Sequence, residues 1–331
     1  MNKATSIGPW VRRFLMEHLV SERNLAHNTQ LSYRDALIQL LPFASRTLKR
    51  PIDRLAVEDV SAIAVRRFLE HLERDRGVGV ATRNQRMAAI RAMARFIATR
   101  APEHLHWCQE ICNIPLKKGL VSELSYLDKP EMDAMLEAPD RRTKHGERDH
   151  GLLLFLYNSG ARADEAARLT LGDIFLDSSP SARIVGKGAR IRHCPLWKST
   201  VDVLCKLTAG RGQNENVFLN RRGRPFTRFG IHALVKRYAA KASLRVPSME
   251  RKHVSPHTIR HTTAVHLLRA GVDINTIRAW LGHVSLDTTH IYAQVDLEMK
   301  AKALAHCEIE GEKTSKQWRN EPKLMDFLKN L

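Results

Sequence analysis

The sequence predicts a mainly α protein with a small antiparallel β-sheet, built as a helical bundle followed by a larger mixed α/β domain. Apolar residues recur at helical spacing through most of the first hundred residues. A break, "NIPLKKGLVSELSY", then interrupts the pattern near residues 113–125. Past it, alternating and β-branched stretches flank a Gly-Lys-Gly turn at 186–188 before helical spacing resumes. The chain has 331 residues, about two domains' worth, and its 43% apolar content is enough to bury real cores.

Taken in order, residues 8–100 read as four helices. These are "PWVRRFLMEHLV", "NTQLSYRDALIQLLPFA" behind an Asn28 cap, "AVEDVSAIAVRRFLEHLERD", and the basic "VATRNQRMAAIRAMARFIATR". The last carries Arg83, Arg86, Arg91, Arg95 and Arg100, which suits either a phosphate backbone or a salt-rimmed solvent face. Beyond the break, "LDKPEMDAMLEAP" reads as a helix with Pro130 in its first turn, "ERDHGLLLFLYNSG" as a buried helix ending at Gly160, and "RADEAARLTL" as another. "IFLD", "ARIVG" and "ARIRHCPL" read as strands, the last two joined as a hairpin through Gly186-Lys187-Gly188. Helices near 198–208 and 227–243 follow. In "SPHTIRHTTAVHLLRAG", Ser255 is a good N-cap, Pro256 a good first helical residue and Gly271 a good terminator. Short helices complete the chain, which closes on "PKLMDFLKNL", where Leu324, Phe327, Leu328 and Leu331 form an apolar stripe.

The formal charge is +19, from 54 Lys and Arg against 35 Asp and Glu, which suits a polyanion better than a small neutral partner. Residues 181–260 hold 18 Lys or Arg against only Asp202, Glu215 and Glu250. Nucleic acid is the leading partner, and a solvated basic face the plain alternative. Five scattered cysteines, Cys108, Cys112, Cys194, Cys205 and Cys307, with no signal peptide, suggest a reducing cytosol without disulfides. The longest apolar run, "GLLLFLY", falls far short of the roughly 20 residues a membrane span needs. "HLHWCQEIC" gathers His104, His106, Cys108 and Cys112; zinc has to be considered, but the spacing matches no common finger, and Cys108 and Cys112 at i,i+4 equally line an apolar helix face.

Several residues are suited to chemistry on a phosphodiester. Charge building on non-bridging oxygens is best held by the paired donors of guanidinium groups. Arg162 follows a helix end, and Arg260 shares a helix face with His257 near an N-terminus that favours anions. Taken singly, each arginine is better explained by a surface or structural ion pair. Lys187, at a hairpin tip, can give a proton to a leaving oxygen or be a polar turn residue. His283 can donate to a phosphate or sit half-buried. Tyr292 is core packing by itself, yet a histidine accepting its proton and a cationic cradle would make its phenol, of pKa about 10, a nucleophile.

These six residues occur in order within "NSGARADEAARLTLGDI", "VGKGARIRHCPL" and "SPHTIRHTTAVHLLRAGVDINTIRAWLGHVSLDTTHIYAQV". In these segments the chain resembles the tyrosine recombinase (phage integrase, Xer-like) family, over about residues 127–295, and the preceding helices resemble its SAM-like core-binding domain. The resemblance implies a core-binding domain at 1–112, a linker at 113–125, a catalytic domain at 126–300 and a tail at 301–331 that similar enzymes pass to a neighbouring protomer. It implies that Arg162, Lys187, His257, Arg260 and His283 activate the phosphate and that Tyr292 attacks it, forming a 3′-phosphotyrosyl intermediate without metal or other cofactor. It further implies double-stranded DNA as partner, a homo- or hetero-tetramer on two DNA sites, service to a mobile element, and a cytoplasmic, nucleoid-associated protein with no membrane association. Departures are small: Asp164-Glu165 replaces the commoner Ser-Glu, and Ile259 stands where leucine is frequent. His261 lies beside the motif, but the spacing to Arg260 favours His257. The alternatives are a type IB topoisomerase, which would nick and close without exchanging partners, a non-enzymatic DNA-binding protein, and a zinc nuclease built on His104 to Cys112.

Overall fold

A computed structural model describes residues 6–119 and 125–282. The chain divides into two units, Met1–Ser122 and Glu123–Leu331.

In the first unit, α1 (Ile7–Arg13) runs on into a π-helix, Phe14–Glu22. The wider winding suits the five-residue spacing of Phe14 and Leu19, both of which enter the core. Next come α2 (His27–Leu48), α3 (Ala62–Arg74), α4 (Val80–Arg100) and α5 (Leu105–Cys112). Phe14, Leu37, Leu40, Phe68, Leu72, Met93 and Ile97 pack between them.

Local bonds move two boundaries from where the sequence suggested. Asn28 is not the cap of α2: Ala26 is, its carbonyl accepting from the amides of Thr29 and Gln30, while the Gln30 side chain closes onto Leu25 O at 2.6 Å. α3 starts at Ala62 rather than near residue 56, because Asp59 folds back to accept from the Ala56 amide at 2.8 Å and Ser61 accepts from Ala64 N. The fifth helix, α5, buries Trp107, Cys108 and Ile111, and the Trp107 indole donates to Val60 O at 2.9 Å. It also separates the His/Cys cluster. His104 is buried against Glu58 at 2.8 Å and His106 is exposed, while Cys108 and Cys112 touch, Sγ to Sγ, at 4.0 Å.

The arginines of α4 turn largely onto protein. Arg83, only 6% exposed, donates to Pro115 O at 3.1 Å, Arg91 donates to Ile114 O, and Arg86 donates to Ser32 O at 3.1 Å. Asn84 exchanges two bonds with the Lys117 backbone, and Lys117 Nζ lies 2.7 Å from Glu73. Residues 114–117, expected to be open linker, are thus strapped along the helix.

The second unit comprises α6 (Lys129–Glu137), α7 (Lys144–Ser159), α8 (Ala163–Arg168), β1 (Ile174–Phe175), β2 (Ser181–Val185), β3 (Ile191–Pro195), α9 (Lys198–Thr208), α10 (Arg228–Ser243), α11 (Pro256–Arg269) and α12 (Ile274–Leu281). The strands form one antiparallel sheet in the order β1-β2-β3, with Ile184 opposite Arg192. The buried α7 is the spine: Leu152, Leu153, Phe155 and Leu156 join Phe218, Ile231, Val235 and Ile259 in the core. Ser255 caps α11 and Gly271, at φ +84°, follows its end, as the sequence indicated. Among the described residues no helix is long and apolar enough to cross a membrane.

Candidate active site

α7 ends where Gly160 turns left-handed, at φ +57°. A β-carbon there would stand 2.4 Å from Leu281 Cδ2, so both the backbone and the packing require glycine. Arg260, on the second turn of α11 and 2% exposed, donates to Gly160 O and to Leu281 O, each at 2.6 Å. Helix ends leave carbonyls without intrahelical donors, and one guanidinium serves the C-termini of α7 and α12 together. Thr263 adds a bond to Tyr157 O at 2.7 Å, fixing α11 against the last turn of α7.

Two residues past Gly160, Arg162 is the N-cap of α8. Its amide donates to Glu165 Oε2 at 2.9 Å and its guanidinium to Glu165 Oε1 at 2.8 Å, with 33% of the side chain exposed. Glu165 is itself buried, and Arg192 on β3, 8% exposed, donates to its Oε2 at 2.7 Å. Burial acts to raise the Glu165 carboxyl, but the bond and charge of Arg192, with the Arg162 backbone and side chain, outweigh it and hold the group below its ordinary value. A β-carbon on Gly186 would lie 3.2 Å from Glu165 Oε1, so the hairpin turn that leads into Lys187 rests on the same carboxylate. Gly282, at φ +67°, lies against Arg192, whose Cδ would be 3.2 Å from an added β-carbon.

His257, exposed on the first turn of α11, has its pKa lowered by partial loss of water, then by the charges of Arg260, Arg162 and His232, with Glu165 opposing. It is therefore neutral at neutral pH and able to accept a proton. His261, its ring centroid 6.4 Å from that of His257, is lowered to about 4 by burial, then by His257 and Arg260.

Arg162, His257, Arg260 and the backbone of Lys187 thus gather around the ends of α7 and α12, a cationic seat suited to an anion. His257 and Arg260, expected to share a face, differ in exposure: His257 is open, while Arg260 is buried and holds the frame. His283, Tyr292 and the apolar stripe at 324–331 lie outside the described residues. Leu281 and Gly282, which immediately precede His283, are held by Arg260 and against Arg192. The structural roles of Glu165 and Arg192 were not read from the sequence. The available signal was strand alternation, which puts Arg192 on the same face as buried Cys194 and opposite buried Ile184.

Both units have known relatives. Residues 125–299 match the phage integrase family, and residues 11–101 match the phage integrase N-terminal SAM-like domain. The y4rC protein of Sinorhizobium fredii is 38% identical over the full length of both chains. Tyrosine recombinase XerC of Pelotomaculum thermopropionicum is 32% identical over 86% of this chain and 93% of its own. Among solved structures, the fold is shared with the Tn1549 transposon integrase (TM-score 0.67, 16% identity, 90% of this chain and 99% of that one). It is shared also with the XerH site-specific recombinase (TM-score 0.65, 22% identity, 89% and 84%). The chain belongs to the phage integrase family, the tyrosine recombinases, enzymes that cut and rejoin DNA.

Proposed function

We propose that this recombinase attacks a DNA phosphorus with the Tyr292 phenolic oxygen, serves a mobile element, and works as four protomers on two duplexes. The new bond joins Tyr292 to the 3′-phosphate, and the bond from phosphorus to the 5′-oxygen breaks. Arg162, Arg260 and His283 hold the non-bridging oxygens, Lys187 gives its proton to the departing 5′-oxygen, and His257 takes the phenolic proton. One phosphodiester is exchanged for a phosphotyrosine of similar energy, so rejoining to a second strand draws on no nucleotide cofactor. The protein side chains supply the positive charge.

The observation that carries this reading is the gathering of three motif residues at the end of α7: Arg260 donates to Gly160 O, Arg162 caps α8 two residues further on, and His257 stands one turn before Arg260 on α11. Burial lowers the proton affinity of His257, and the charges of Arg260 and then Arg162 lower it further, so residues from two separate sequence motifs bear on one imidazole. That imidazole is left neutral, the form a general base needs.

The test begins with genomic DNA of the source organism, fragmented and nicked at random, incubated with the full-length protein in EDTA. A nick close to the cut site lets the released oligonucleotide diffuse away and traps the protein on DNA. Covalent complexes that survive SDS are expected from the wild type and not from Tyr292→Phe; complexes formed equally by that variant would refute the nucleophile. Sequencing the trapped DNA checks the mobile-element reading: inverted repeats bordering a transferable segment support it, and a single chromosomal site that borders none contradicts it.

A further inference from the structure

We propose that Arg192 is a positioning residue for strand cleavage, fixing Glu165, and through Glu165 the Arg162 guanidinium, relative to the turns that lead into Lys187 and His283. This rests on the reading of Arg162 as a phosphate-holding group. The Glu165 carboxylate is shared: Oε1 takes the Arg162 guanidinium at 2.8 Å, and Oε2 takes Arg192 at 2.7 Å and the Arg162 amide at 2.9 Å. Arg162 is one-third exposed, while Arg192 is buried on the inward face of β3. A carboxylate clamped from behind presents its other oxygen in one direction, and the exposed guanidinium inherits that direction.

The same buried side chain lies at two more junctions. Its Nη1 would be 3.6 Å from a β-carbon on Gly186, and its Cδ 3.2 Å from one on Gly282. Gly186 precedes Lys187, and Gly282 precedes His283. One planar guanidinium therefore borders the backbone before two assigned groups and holds the partner of a third. Pure stabilisation explains this poorly. Arg192 Nε is buried without a hydrogen-bond partner among the described residues, a cost that a well-packed apolar pair in place of both Arg192 and Glu165 would avoid.

Glu165 also gives the role a pH signature. The charged and titratable groups around it are Arg162 on its own helix, Arg192 from β3 and His257 from α11; α10, packed on α8, adds His232, which bears on His257. Burial raises the Glu165 carboxyl, and Arg192 is the largest influence opposing it. Without Arg192 the carboxyl moves up, and its protonated form accepts less well from Arg162. Raising the pH then restores the acceptor.

The full-length protein is assayed on the captured duplex, resynthesised with its nick, for cleavage rate against pH, DNA affinity and melting temperature. Arg192→Gln is expected to cleave about 30-fold slower than wild type at neutral pH, the size of effect that small misplacements produce, with the deficit shrinking as the pH is raised and DNA affinity within about threefold. Arg192→Lys keeps a charge but not the fork, so it should retain the wild-type pH profile at a rate reduced about tenfold. It also decides the matter should the glutamine variant fail to fold. Equal loss at every pH, loss of cleavage only in step with affinity or melting temperature, or a lysine variant at the wild-type rate would each overturn the proposal. Attachment that persists in Tyr292→Phe removes the nucleophile assignment and leaves the Arg192 comparison intact. A wild-type protein that attaches to no fragment removes both.

Discussion

Replacing Gly160 with alanine places a methyl group where the backbone is left-handed and where Leu281 Cδ2 would stand 2.4 Å away. The left-handed conformation costs an ordinary residue about 1–2 kcal/mol. Forcing a methyl into filled space costs about 1–3 kcal/mol more. The sum, about 2–5 kcal/mol, should lower the melting temperature of the second unit by roughly 5–15 °C. Scanning calorimetry of the full chain reads this, and a double-mutant cycle separates the two terms. Leu281→Ala alone empties a fully buried site and should cost about 2–5 kcal/mol. Added to Gly160→Ala, it removes the collision but not the backbone strain, so the double variant should be about 1–3 kcal/mol more stable than the sum of the singles. Full additivity, or a Gly160→Ala protein as stable as wild type, would refute the packing described for this junction. Because Arg260 grips the Gly160 carbonyl, the same substitution should also slow DNA cleavage.

Other expectations concern titration and reactivity. Glu165→Gln leaves Arg192 buried beside a neutral group and should cost about 3–5 kcal/mol at neutral pH. The wild-type advantage should be present above the unfolded carboxyl value of about 4.3 and fade as pH falls through the lower folded value; a difference in melting temperature that is flat from pH about 7 to about 3 would contradict it. His261 titrates at about 4 in the native protein against about 6.5 unfolded, so as pH falls between these values the unfolded chain binds a proton that the native one refuses. His261→Asn should therefore lessen the acid destabilisation in that window, which parallel melting-temperature curves would exclude. Of the described cysteines, exposed Cys205 should react with a thiol reagent in the native protein, while Cys108 and Cys194, pushed by burial up to about 11 and about 12, should wait for unfolding. Peptide mapping after timed alkylation checks the order.

The parts legible in the sequence were those fixed by local chemistry. Ser255, Pro256 and Gly271 mark α11 because caps and terminators act within a few residues, and the hairpin around Lys187 was readable from its glycines. What escaped depends on distant partners. α5 exists because Trp107 and Ile111 find the core, and the inward turn of Arg83 and Arg91 depends on carbonyls more than 20 residues away. Arg192 reads as one more member of a basic stretch until the buried face of the sheet is known. Within the site, residue types and order were plain, but the division of labour was not: that Arg260 is buried against two carbonyls while Arg162 is partly open requires the ends of α7 and α12 to be in place.

The strap along α4 closes off a stretch of backbone. Pro115 O and Lys117 O each accept from a side chain of α4, and the Lys117 amide donates back to Asn84, so a protease could draw this stretch into its cleft only after those bonds had broken. Limited digestion of the native protein should therefore spare the peptide bonds of residues 114–117.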